Sequence, residues 1–163
     1  MEKLILDHLE TVRGITENSI KKITRKISEE KVNIIPNGFN NNIRWNFGHI
    51  AYVQEKLVFM LAGEEMKIPS HYEQLFGAGT KPADWQETPP SLDDIADVLA
   101  NQKERVKAFI PGHFHDKLIT PFTNKAGITF DTVGATFLFS LYHEAVHMEN
   151  IRHLYKTITV NYA

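Results

Sequence analysis

A narrow polar stripe inside an otherwise apolar helix constrains this chain more than any other feature. Thr136, Ser140, His143 and His147 recur every three to four residues. The run around them is made of Ala135, Phe137, Leu138, Phe139, Leu141, Ala145 and Val146. That spacing is the repeat of one helix face, so the segment reads as a helix with greasy flanks and a polar line. Polar groups taken out of water need partners. His143 and His147 stand one turn apart, and two imidazoles so placed can share a metal ion, which would be that partner.

The rest of the chain offers helices to pack against it. From Leu4 to Ile27, the residues Ile5, Leu9, Val12, Ile15, Ile20, Ile23 and Ile27 recur at helical spacing between charged residues. Ser28 to Asn42 is a linker of turn residues, and an asparagine at its end can cap a second helix, Ile43 to Leu61. Trp45, His49, Tyr52, Val53, Lys56 and Met60 line one side of that helix. Gly48 in its interior costs about 1 kcal/mol against alanine. Such a glycine points to a close approach beside His49, by another helix or a ligand. Taken alone, His49 reads as a core histidine satisfied by a neighbour.

Glu64 to Pro90 is a long loop, a length usually associated with function. Its Tyr72, Phe76 and Trp85 read as anchors more than as a pocket mouth, and its Gly77-Ala78-Gly79-Thr80-Lys81 run lacks phosphate-loop spacing. Ser91 and Asp94 make a capping box that opens a third helix, ended near Ile110 by Pro111-Gly112. His113-Phe114-His115, Pro121 and Gly127 then read as an exposed loop. Thr129 or Asp131 caps the fourth helix, which runs to about Thr157, and Ile158 to Ala163 reads as a frayed or edge-like tail. Four helical segments without a convincing strand pair give an all-α expectation: one domain over residues 1–163, a four-helix bundle with long inter-helix loops.

Composition narrows the function classes. The net charge of -2 gives no basic face for nucleic acid. With no cysteine there is no disulfide, no thiolate zinc site and no cysteine nucleophile. No apolar run approaches the ~20 residues that span a bilayer, and Met1 to Asp7 lacks a signal-peptide core. A cytoplasmic protein acting on a small molecule is expected, with neither membrane nor nucleic acid as partner.

Two metal readings compete. His143-Glu144-Ala145-Val146-His147 matches H-E-x-x-H literally, and His153 falls where the extended form of that motif places a third ligand. Asn150, however, stands where the extended form has a glycine. In a straight helix His153 lies ~600° and ~9 Å beyond His147. No edge strand is foreseen to hold an extended peptide either. These points count against a peptidase.

The other reading uses the whole chain. Asn42-Ile43-Arg44-Trp45-Asn46-Phe47-Gly48-His49-Ile50 resembles the helix-2 signature of the DinB/YfiT-like superfamily. Leu141 to Ile151, with His143-Glu144 and His147, resembles its helix-4 signature. The spacing between them, the Phe-Gly-x-Gly loop and the serine-capped third helix also fit, and the likeness covers nearly all of the chain. Met148-Glu149-Asn150 departs from the small residue and Gly-Gln often found there. The resemblance implies a four-helix bundle of unusual up-and-down handedness, commonly a homodimer. It also implies a metal held by His49, His143 and His147, and S-transferase or isomerase chemistry that uses low-molecular-weight thiols.

Three neutral imidazoles leave a divalent ion its full charge and open positions, as in catalytic sites. Zn, Ni and Fe(II) all suit such ligands. Glu144 points about 100° away from His143 on a helix. It either orients a ligand from behind or pairs at a dimer surface. The expected function is a metal-dependent transferase that joins a small thiol to a small electrophile. A metal-dependent hydrolase, or a metal-containing binding or stress-response protein without turnover, are the alternatives.

Overall fold

The computed structural model describes residues 2–162. In chain order the elements are α1 (Glu2–Thr24), α2 (Glu29–Val32), α3 (Ile43–Val58), α4 (Tyr72–Phe76), α5 (Leu92–His113), β1 (Lys117–Thr123), β2 (Thr129–Thr132) and α6 (Val133–Asn161), with single 3-10 turns at Met60–Ala62 and Pro82–Asp84. The helix starts follow local chemistry. Asn42 accepts from the Trp45 backbone at 2.8 Å and so caps α3. Ser91 and Asp94 form the reciprocal capping box of α5. Thr132 caps α6 by accepting from the Ala135 backbone.

The fold is mostly helical, and α3 is its centre. Every residue of α3 except Val53 and Lys56 is buried, as expected of a helix enclosed on all sides. It packs on α6, α5 and α4, while α1 closes the far side against α5 and α6. Val58 and Phe59 share an apolar cluster with Val133 and Phe137. At the other end Trp45 and Phe47 share one with Ile151 and Leu154. Helices α3 and α6 are therefore antiparallel.

These two clusters are separated by a polar layer. Arg13, Thr16, Gln54, Glu55, Gln102, Ser140 and Glu144 are all buried, drawn from four helices. Arg13 donates to the Leu99 carbonyl (3.2 Å), to Gln54 Oε1 (2.6 Å) and to Glu144 Oε2 (3.2 Å). Gln102 donates to the Ala51 carbonyl and Glu55 Oε2, both at 2.8 Å. Arg105 reaches Glu55 Oε1 from the rim at 2.7 Å.

Several sequence expectations are corrected. The stretch after α5 is not a structureless loop: β1 and β2 pair antiparallel, with Lys117 opposite Thr132 and Phe122 opposite Phe130. The hairpin owes its order to α6 more than to its own pattern, because Phe122 and Phe130 stack on Phe139 at 5.9 and 4.8 Å between ring centroids. From Ile158 to Asn161 the tail is helical and not frayed, and Ala163 lies outside the described residues. Helix α6 continues to Asn161 because Ile158 is fully buried, and that packing outweighs the poor helix propensity of its β-branched neighbours. Helix α5 passes Pro111-Gly112 and ends at His113. The linker and the long loop contain the short helices α2 and α4.

Candidate metal centre

His49 lies on the second turn of α3, in a helix fixed by the Asn42 cap. Its ring stacks on Trp45 at 4.3 Å between centroids and 16° between planes. Its Nδ1–H donates to the Phe76 carbonyl at 2.6 Å, which leaves Nε2 with a free lone pair. The close approach foreseen beside Gly48 is made by the long loop. A Cβ on Gly48 would stand 2.5 Å from the Phe76 ring, so the missing side chain is what lets α4 settle on α3. Tyr72, Phe76 and Trp85 act as anchors: Tyr72 and Phe76 are fully buried, and the Trp85 indole donates to the Leu75 carbonyl at 2.9 Å.

His147 is set in the same way. Asn46 donates to the Asn42 carbonyl at 2.7 Å, which turns its Oδ1 towards His147, and His147 Nδ1–H donates to that oxygen at 2.8 Å. Again Nε2 is the free nitrogen. His143 makes no hydrogen bond among the described residues. The centroid separations are 5.0 Å (His49–His143), 4.7 Å (His49–His147) and 4.4 Å (His143–His147).

One ring nitrogen from each of the three lies within 4.8 Å of the other two. A tetrahedral ion with ~2.1 Å bonds needs its nitrogen ligands ~3.4 Å apart. The nitrogens are at most 4.8 Å apart, and two of the rings already have the tautomer a ligand requires. The residues fit a divalent metal.

Electrostatics agree with neutral rings. Burial, reinforced by the other two imidazoles, pushes the His143 pKa down to about 3. Burial and His49 push that of His147 down to about 4. His49 is also lowered, chiefly by burial. All three are therefore unprotonated at neutral pH, the state in which imidazole ligates metal.

Glu144 sits elsewhere. It is buried, with Oε1 taken by the Thr16 hydroxyl at 2.6 Å and Oε2 by Arg13 at 3.2 Å. The polar stripe of α6 thus divides. Ser140 and Glu144 join the interior layer, and His143 and His147 turn to His49. The other histidines stay apart. His153 is exposed and pairs with Glu149 at 2.8 Å. His113 stacks on Phe109 and donates to its carbonyl.

A family model described as the DinB superfamily matches residues 9–151, nearly the whole chain. The chain belongs to the DinB superfamily. No curated protein matches it. This DinB superfamily chain also uses residues that sequence reasoning passed over. Asn46 and the Phe76 carbonyl orient two of the histidines. Arg13, read only as one of the charges along the first helix, is fully buried and ties α1 to α6. The one local sign of that role was its position between Leu9 and Thr16 on the inward face.

Proposed function

We propose that the chain is a metal-dependent enzyme that joins a low-molecular-weight thiol to a small electrophile. The observation that supports this best is the converging set of three neutral ring nitrogens, two of them freed by hydrogen bonds to the opposite nitrogen. Three protein ligands is the number found in catalytic sites, whereas structural sites are closed by four. Zn, Ni or Fe(II) would suit the donors. A bound ion would supply positive charge that favours the thiolate form of a small thiol. The chain has no cysteine, so the thiol comes from outside.

The protein's own residues hold and aim. Phe76 and Asn46 fix the tautomers of His49 and His147. Glu144 is a positioning residue. Held by Arg13 and Thr16, it fixes the rotation of α6 about its axis, and with it the direction of His143. The four long helices form the four-helix bundle of this single domain. A homodimer is part of the same reading. It is supported by an apolar groove of about 400 Å³ between α1 and α6, with Val12, Ile15, Ile23, Met148 and Tyr155 on its walls. Sedimentation should then give twice the chain's 18.7 kDa.

Elemental analysis and a conjugation assay test the function together. One divalent ion per chain is expected in the wild type and in His153→Ala, and little in His147→Ala. Turnover of a generic electrophile should need both metal and an added thiol. Thiol-independent turnover would point to a hydrolase, and a loaded protein inert with every thiol to a binding protein.

A further inference from the structure

The β-hairpin lies along α6 on Phe139, one turn before His143 on the same helix face, and the catalytic reading leaves it unused. Phe130 lies just before α6 and yet stacks on Phe139, two turns into that helix, so the hairpin folds back along α6. At its base Ile119 packs on Gly63, where a Cβ would stand 2.2 Å from the Ile119 side chain. From Ile119 to the turn residue Lys125 is about 20 Å of strand at ~3.3 Å per residue. From Gly63 back to His49 is about 21 Å of helix at ~1.5 Å per residue. The tip is therefore level with His49.

The turn is well built. Asn124 Oδ1 accepts from the backbone of Ala126 (2.9 Å) and Ile128 (3.0 Å), and Asn124 N–H donates to the Ile128 carbonyl at 3.0 Å. Lys125 rides on this turn, exposed and without an acidic partner among the described residues. Its positive charge adds slightly to the burial that keeps His49 neutral. The acidic neighbours of the histidine pair on α6 are already engaged: Glu144 by Arg13 and Thr16, and Glu149 by Arg152 and His153. Three neutral rings, a divalent ion and an unopposed ammonium make a site with excess positive charge, which favours an anionic ligand.

We propose that Lys125 binds the carboxylate of the small thiol, so that the site selects a carboxylate-bearing thiol over a neutral one. This rests on the metal-and-thiol reading above. Lys125 is a binding residue on a pre-built turn.

Calorimetry on the zinc-loaded protein tests it, with 3-mercaptopropionate, 2-mercaptoethanol and cysteamine as probes. The wild type should bind 3-mercaptopropionate about threefold to tenfold more tightly than 2-mercaptoethanol, the range of an exposed to half-buried charge-assisted contact. Cysteamine should bind weakest. Lys125→Gln should cut the preference to what the ion alone provides and leave 2-mercaptoethanol binding and zinc content unchanged, and Lys125→Glu should shift it towards cysteamine. The preference should shrink with salt. An unchanged preference in Lys125→Gln would overturn this inference and leave the metal-and-thiol reading standing. Failure of every thiol to bind the zinc-loaded wild type would overturn that reading and the inference with it.

Discussion

His143 and Glu144 are neighbours in sequence, yet their surroundings are opposite. Glu144 belongs to a polar layer that is nearly closed: both carboxylate oxygens, the Arg13 terminal nitrogens and both Gln102 amide atoms have protein partners, and Arg13 Nε is the one buried nitrogen there without a partner among the described residues. His143 belongs to a cluster that does not close. It has no hydrogen-bond partner among the described residues, and His49 and His147 each spend one nitrogen and keep the other free. A buried network whose members satisfy one another holds helices in register. A cluster with converging unpaired nitrogens could hold a metal ion. The same helix carries both, a hundred degrees apart.

Breaking the closed region should have the largest effect on folding. Arg13→Ala leaves the Glu144 carboxylate buried and unpaired, and about 3–5 kcal/mol of unfolding free energy should be lost even without metal. Urea denaturation of metal-free protein measures this. Replacing both partners, Arg13→Met with Glu144→Leu, should recover most of the loss. In contrast His147→Ala should change metal-free stability by about 1 kcal/mol or less while removing the metal.

The next effects fall on the supports of the open region. Asn46→Ala removes the acceptor that fixes the His147 tautomer and should weaken zinc binding about 10- to 100-fold in a competition titration with a chelator. Gly48→Ala pushes on the Phe76 ring, fully enclosed in the core, and should cost about 1–3 kcal/mol in stability. It should also weaken zinc binding, because Phe76 carries the carbonyl that holds His49.

The last effect is nil at neutral pH and emerges only as a pH dependence. His143 and His147 have folded-state pKa values of about 3 and about 4, below the ordinary value of 6.5. As pH falls, the unfolded chain takes up these protons first, so stability present in full above 6.5 is lost progressively towards 3. Metal-free wild type should therefore lose more stability between pH 7 and pH 4 than a His143→Ala/His147→Ala variant. Equal losses would mean that the rings are charged in the folded state.

The contrast also explains what could be read from sequence. Four long helices were legible because apolar residues recur at helical spacing and Asn42 and Ser91 announce their starts. His143 and His147 were legible as a pair from their one-turn spacing, while His49 joined them only through the resemblance of its stretch to a family signature, since alone it read as a satisfied core histidine. Arg13 was not, since a charge on an amphipathic helix is ordinarily solvated, and only the distant Gln54, Leu99 and Glu144 make its burial tolerable. The hairpin was hidden for a related reason. Lys117 to Thr123 is mostly exposed and contains Pro121, so it lacks clean alternation. Its order comes from Phe139, which no local pattern links to it. The Phe76 carbonyl is a backbone atom in a loop, and nothing in the side-chain sequence marks it.

A crystal structure of the protein as purified, with anomalous scattering recorded at the absorption edges of the candidate metals, tests the central claim most directly. One peak per chain is expected, bonded to His49, His143 and His147 at ~2.0–2.1 Å, with His153 still paired to Glu149 and Arg13 still paired to Glu144. A peak that omits His49 and includes His153, or full occupancy of the three nitrogens by protein partners with no peak at all, would contradict it.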